Sequence, residues 1–253
     1  MNNLLSEQYN GIFTITFNRI AKHNAFDEIF LKQLQQLLDE AQIEITIRVI
    51  IIKANGKAFS AGADIAWMRR TANYNLNENI DDALILAKVI YTIHHSNKPI
   101  IAIVNGIAYG GGAGLVAACD IAIATPQAKF CFSEVRLGLV PAIISPYVIK
   151  AIGARHAQCL FISAEIFDAC RAYELGLVHY CIPQDELEVF IKNYVEKLLL
   201  GAPQAVSACK QLINIVNNQP ITDSLIQKTA EIIAKKRSSK EGKQGLEAFL
   251  NRI

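Results

Sequence analysis

The chain of 253 residues predicts an α/β layered fold, and three features of its pattern carry that prediction. Apolar runs of strand length, such as Val49–Ile52 and Ile100–Val104, recur through the first part of the chain. Segments of helical period stand between them, the clearest carrying Phe26, Ile29, Phe30, Leu34, Leu37, Leu38 and Ala41. Beyond Pro146 the pattern turns mostly helical. Strand, helix, strand, turn, helix is the order in which layered α/β domains are assembled.

Taken in order, Gly11 to Phe17 alternates apolar and polar residues, as a half-buried strand does. A polar loop over residues 18–24 follows, and Asp27 supplies a helix-start signal. Residues 54–62 form a loop with two glycines, then Asp64 opens a helical IAWMRR. The asparagine-rich stretch 71–79 reads as a loop leading into a helix over 80–94. Strands are expected near 99–104, 121–124, 129–132 and 177–182, and helices over 147–152, 154–162, 169–175, 185–199, 203–216 and 221–234. Ser238-Ser239 caps a last helix. Gly201 and Pro203 mark a break, giving a core domain over 1–200 that holds the site and a helical region over 201–253.

Composition narrows the function. With 52% hydrophobic and 19% charged residues the chain is globular rather than disordered. A net charge of +2, with no basic cluster interleaved with aromatics, speaks against nucleic acid as a partner. The run Lys235-Lys236-Arg237 is explained by a solvated helix end. Six cysteines scattered through apolar segments, without a CxxC pair, read as buried reduced thiols. The five histidines lack metal-ligand spacing. No apolar run approaches the ~20 residues of a membrane span. Met1 to Asn10 is polar and short, so the expectation is a soluble, cytoplasmic protein without a signal peptide.

The chemistry concentrates in residues 99–141. An apolar strand leads into the glycine-dense turn Gly110-Gly111-Gly112-Ala113-Gly114, then into an apolar helical segment, Leu115 to Cys119. Glycines between a strand and a helix let backbone approach a ligand and leave N–H groups to face it. A second such turn, Lys57 to Asp64, puts the N–H of Ala63 at a helix start. Two donors converging on one oxygen make an oxyanion hole, worth ~3–4 kcal/mol per donor where charge develops. A glycine-rich turn of this kind, taken alone, is more often tight packing than a catalytic cradle, and neither turn fits the dinucleotide or Walker patterns. Glu134 is a single carboxylate among Phe130, Phe132, Val135 and Leu137, placed at a strand end. An ion pair with Arg136 would make it structural; burial would instead raise its pKa into the range of a general acid. By spacing alone Trp67 and Met68 read as core, and the residues taken by themselves reach an acyl-oxyanion site and no further.

The segments FSAGADI (Phe59–Ile65), NGIAYGGGAG (Asn105–Gly114), ACDIAIA (Ala118–Ala124) and FSEVRLGLVP (Phe132–Pro141), in this order, closely resemble the enoyl-CoA hydratase/isomerase (crotonase) family. NRIAKHNAF (Asn18–Phe26) is similar to its nucleotide-contacting loop, with Ile20 where the family usually has proline. The resemblance implies a crotonase-like spiral of ββα units with a C-terminal helical trimerisation region, assembled as a trimer or a hexamer of two trimers. It implies an acyl-CoA thioester substrate and no cofactor, coenzyme A being part of the substrate. The thioester oxygen would sit on the N–H groups of Ala63 and Gly111, with Glu134 as acid/base. Coenzyme A would run along Ala21, Lys22 and His23, with Lys57 near its phosphates. Ala61, Asp64, Ile65, Trp67, Tyr109, Gly110 and Pro141 would line the substrate path, and Phe249 and Arg252 would cover the nucleotide from a neighbouring subunit.

One departure bears on the reaction. Standard hydratases of the family carry two catalytic glutamates; Glu134 matches the second, and the first falls on Gly114. Glu78 and Asp82 are the candidate second carboxylates. Pro141-Ala142-Ile143-Ile144-Ser145 is bulkier than the family's usual glycine-rich stretch. SAGADIAWMRR, ENIDDALILAK and GGGAGLVAACDIAIA are most similar to the bacterial methylglutaconyl-CoA hydratase-like branch, associated with leucine and isoprenoid degradation. The resemblance therefore implies a hydratase for a branched or glutaconyl-type enoyl-CoA. Its rivals are an enoyl-CoA isomerase with Glu134 as proton shuttle, and a CoA-binding protein that has lost catalysis.

Overall fold

Over residues 49–131 successive strands feed two sheets in alternation, and each pair of strands is followed by helix; the computed structural model describes residues 2–251. The larger sheet has the order β1-β2-β3-β5-β7-β10, comprising β1 (Leu4–Tyr9), β2 (Ile12–Phe17), β3 (Val49–Ala54), β5 (Ile100–Val104), β7 (Ile121–Ala124) and β10 (Tyr180–Cys181). The smaller has the order β4-β6-β8-β9: β4 (Ala58–Ser60), β6 (Ile107–Tyr109), β8 (Lys129–Cys131) and β9 (Phe167–Asp168). Only the β1–β2 and β8–β9 pairs are antiparallel. The turns of the spiral therefore read β3-β4, β5-β6 and β7-β8, each followed by helix. This is the spiral of ββα units that the resemblance implies.

The helices of the first part are α1 (Glu28–Ile43), α2 (Ile65–Thr71), α3 (Leu76–His95), α4 (Gly111–Ala118), α5 (Ser145–Ser163), α6 (Ala169–Leu175) and α7 (Leu187–Leu199). Those of the last part are α8 (Pro203–Val216), α9 (Asp223–Ser238) and α10 (Lys240–Leu250). The chain divides into two compact units, one running to Tyr194 and the other starting at Val195. In the second, Glu241 accepts from the N–H groups of Gln204 and Ala205 at the start of α8, both at 2.9 Å. No described helix is long and apolar enough to cross a membrane.

Parallel strands with both faces covered are continuous apolar runs, and β5 is fully buried along IIAIV for that reason. Phe17, Phe26, Phe30 and Phe59 pack as one aromatic cluster beneath the site, with centroid separations of 5.1–5.9 Å. This rigid floor matters because the turn carrying Ala63 hangs from Phe26.

Several expectations need correction. Strand β1 lies before the expected first strand; it exposes all but one of its six residues, so no alternation announces it. The hairpin signal is Asn10-Gly11, both at positive φ. Strands β4 and β6 have three residues each, too short for a period, and β4 lies inside the expected 54–62 loop. The asparagine-rich stretch is mostly helix: α3 starts at Leu76 because Asn75 and Glu78 form a reciprocal capping box. Gly111 to Gly114 are already the first turn of α4, with Gly110 as its N-cap, rather than a loop before it. Glu134 sits on a short 3₁₀ turn, Glu134–Leu137, rather than at a strand end. None of the six cysteines forms a disulfide, and only Cys119 and Cys131 are buried.

Candidate active site

The two glycine turns meet. A Cβ on Gly112 would lie 2.9 Å from the Ser60 carbonyl oxygen, and one on Gly62 3.2 Å from the Tyr109 carbonyl oxygen. Only hydrogen at these positions lets the turn after β4 touch the turn after β6. Gly62, at φ +92, also aims the chain so that Phe26 and Ala63 form an isolated parallel bridge. That bridge uses the Gly62 carbonyl, accepting from Phe26 N–H, and the Asp64 N–H, donating to the Phe26 carbonyl, both at 2.7 Å. In parallel pairing the middle residue's own N–H points to the other edge. The Ala63 N–H is thus left unused by the bridge, and Ala63 lines a cavity of about 460 Å³. Gly111 lines the same cavity and opens α4, where the first N–H groups have no acceptor within the helix.

Glu134 enters this cavity beside the second turn. A Cβ on Gly110, at φ +49, would be 3.2 Å from Glu134 Oε1, so the missing side chain makes room for the carboxylate. Glu134 Oε2 is buried without a hydrogen-bond partner. Burial pushes its pKa up, against a smaller lowering by a backbone hydrogen bond. The ion pair with Arg136 is not formed; that guanidinium donates to the Ala164 carbonyl at 2.7 Å. The apolar walls are Phe26, Leu86, Leu137, Leu139 and Val140.

The wall opposite Gly114 explains the missing glutamate. A Cβ on Gly114 would overlap Cγ2 of Ile144, which is almost fully buried and lines the cavity. The space a side chain at 114 would need is thus occupied. Of the two candidate second carboxylates, Glu78 is exposed and held in the α3 capping box, away from the cavity lining. Asp82 lines the cavity, and its Oδ1 accepts from Trp67 Nε1 at 2.8 Å. Its pKa is pushed up, chiefly by burial. Trp67 and Met68 both line the cavity; Trp67 is at the same time buried in the core, as its spacing implies, whereas Met68 is only half-buried.

The remaining predicted residues divide between wall and scaffold. Ala61, Gly110 and Pro141 line the cavity. Asp64 is scaffold: it caps α2 through Ala66 N–H at 2.8 Å and pairs with Lys22 at 2.6 Å and Arg19 at 3.2 Å. Burial would raise its pKa, but those hydrogen bonds and cations together hold it below the ordinary value. Ala21, Lys22 and His23 are an exposed turn, and the His23 carbonyl accepts from Ala61 N–H at 3.0 Å. Lys57 is exposed, Ile65 is exposed outside the lining, and the Tyr109 phenol is pushed up by burial. Phe249 is exposed on α10, and Arg252 lies outside the described residues. Ile144 and the Trp67–Asp82 pairing are what sequence reasoning missed; the bulky 141–145 stretch was the one available signal. No cluster of metal-ligating residues occurs among the described residues.

The profile of the family described as Enoyl-CoA hydratase/isomerase matches residues 7–253. A Legionella pneumophila chain, provisionally named an enoyl CoA hydratase/isomerase (crotonase), is 53% identical with a TM-score of 0.94, covering 99% of this chain and 96% of its own. An enoyl-CoA hydratase from Shewanella pealeana is 39% identical at TM-score 0.96, with 99% and 94% covered. The short-chain-enoyl-CoA hydratase of Clostridium acetobutylicum is 30% identical over 254 residues, 100% of this chain and 96% of that one.

Proposed function

The chain belongs to the enoyl-CoA hydratase/isomerase family, and from that premise we propose that it adds water to a branched 2-enoyl-CoA. One observation carries the reading. Two backbone turns with uncommitted N–H groups and a desolvated, unpaired carboxylate line a single cavity. The thioester carbonyl accepts from Ala63 and Gly111. As water oxygen bonds to the β-carbon, the π electrons move onto that carbonyl, and two preorganised amides stabilise the enolate more than the neutral substrate. Glu134, raised in pKa, handles the proton at the α-carbon.

The other parts of the reading follow the resemblance. Coenzyme A lies against Ala21 to His23 with Lys57 near its phosphates, and no cofactor takes part. The chain self-associates as a trimer or a hexamer of two trimers, with Phe249 serving a neighbouring site. Exposed Ile213, Ile226, Ile233 and Phe249 on the last helices support this, and sedimentation tests it. For the acyl group, the bulky wall from Pro141 to Ile144 and the motif likeness favour a branched chain. The lining residues include two acids and no lysine, arginine or histidine, so a neutral branched chain is favoured over a carboxylated glutaconyl one.

The filled space at Gly114 favours a second reading, an isomerase in which Glu134 shuttles one proton and no water adds. Incubation with 2-enoyl- and 3-enoyl-CoA thioesters in water enriched in heavy oxygen separates the two. Label in the product is expected; a shifted double bond without label overturns hydration in favour of isomerisation. Binding without turnover of any tested thioester overturns both.

A further inference from the structure

Hydration needs a base for water as well as an acid for carbon, and the position that would give a second glutamate carries Gly114, its space filled by Ile144. The lining of the cavity contains two titratable side chains, Glu134 and Asp82. Asp82 sits on the face of α3 that covers the site: Asn79, Asp82, Ala83 and Leu86, at helical spacing, all line the cavity. Leu86 locates that face, because its Cδ2 would be 3.2 Å from a Cβ on Gly111. Asp82 is one turn away, about 5–6 Å along the helix surface. Its carboxylate is held in place, since Trp67 Nε1 donates to Oδ1 at 2.8 Å and Trp67 is itself buried. The bond from the indole is to Oδ1; Oδ2 has no hydrogen-bond partner among the described residues and is not a fully buried atom, which leaves it accessible to water.

We propose that Asp82, clamped through Oδ1 by the Trp67 indole, is the second carboxylate of the reaction and takes a proton from the attacking water. The proposal rests on the hydratase reading above. As the water O–H bond breaks toward Asp82, the oxygen bonds to the β-carbon. The π pair moves onto the thioester oxygen, held by the amides of Ala63 and Gly111. The enolate then collapses by taking a proton at the α-carbon from Glu134. Water has been added across the double bond; Asp82 ends protonated, Glu134 ends ionised, and cavity water returns the proton from one to the other. The environments suit this division of labour. Glu134 is deeper and its Oε2 has no partner, which favours its neutral form; burial pushes Asp82 up as well, but there the indole N–H opposes burial and favours the anion.

Asp82→Asn tests the proposal, because the amide oxygen still accepts from Trp67 and the fold around it is kept. Two rates are read for wild type and variant: heavy-oxygen incorporation from labelled water into a branched 2-enoyl-CoA, and α-hydrogen exchange of a saturated acyl-CoA in heavy water. The second needs Glu134 and the two amides but no attacking water. The expected result is a loss of hydration on the order of 10² or more with exchange near the wild-type rate. Wild-type hydration in the variant overturns the role of Asp82 alone. Parallel loss of both rates also overturns it, since that is how a merely structural aspartate behaves. A wild type that incorporates no label overturns the hydratase reading and this inference with it.

Discussion

Asp64 and Glu134 are both acids withdrawn from water beside the same pair of glycine turns, and the molecule treats them in opposite ways. Asp64 receives two backbone N–H groups of α2 and two cations, Arg19 and Lys22. Glu134 receives nothing on Oε2, and the nearest cation in sequence, Arg136, is turned to the Ala164 carbonyl. The first is held ionised; the second is pushed toward its neutral form. The contrast separates scaffold from chemistry more clearly than burial does. A satisfied carboxylate fixes a turn, and an unsatisfied one stores a preference for carrying a proton.

The sharpest way to break this comparison is to change the unsatisfied acid. Glu134→Gln keeps the shape and removes the proton chemistry, so turnover is expected to fall by about 10²–10⁴. CoA affinity, measured by calorimetry, should not change; retained turnover would end the assignment. Changing the satisfied acid should do the reverse. Asp64→Ala removes a helix cap and strands Arg19 beside Asp27 alone, and a cost of about 3 kcal/mol in urea unfolding is expected. Lys22 is half-exposed, which keeps the loss toward the low end of the range for buried pairs.

The same comparison shows what a sequence can and cannot disclose. Both glycine turns were visible, because only glycine fits a backbone–backbone contact such as Gly112 on Ser60, and the residue type itself announces the constraint. Glu134 was visible as a lone acid among apolar residues. Its indifference to Arg136 was not, because residues two apart on a 3₁₀ turn face different ways and the competing acceptor, Ala164, lies far along the chain. The absence of a side chain at 114 was legible, but not its compensation by Ile144, a contact across thirty positions that no local period encodes. Asp82 and Glu78 were equivalent on paper; a capping box removed one and an indole fixed the other. The fold was read mainly from long elements. Strands β4 and β6, three residues each, escaped although they carry the two turns.

Gly114 allows the wall itself to be tested. Alanine normally stabilises a helix interior over glycine by about 0.5–1 kcal/mol. Here the new methyl would overlap Ile144 Cγ2, an atom of a stiff, buried side chain, and overpacking costs about 1–3 kcal/mol. The steric term is the larger, so Gly114→Ala should destabilise. In an Ile144→Ala background the same change should become neutral or favourable. Additivity in that double-mutant cycle, read by thermal unfolding, would show that Ile144 does not fill the space.

The smallest expected effect is also the most direct reading of the two acids, since their titrations should act on stability with opposite sign. Asp64 has a folded pKa below its ordinary 3.8, so its contribution is in place above that value and is lost as pH falls through the folded one. Glu134 has a folded pKa above its ordinary 4.5. Its contribution is in place below 4.5 and is lost as pH rises through the folded value. The stability of Glu134→Gln relative to wild type should therefore rise with pH above about 4.5, with a slope no steeper than about 1.4 kcal/mol per unit. Asp64→Asn should approach wild type only on acidification below about 3.8. Urea midpoints across that range decide it: parallel curves for the two variants would mean that Glu134 is paired in solution, and the contrast between the acids would be lost.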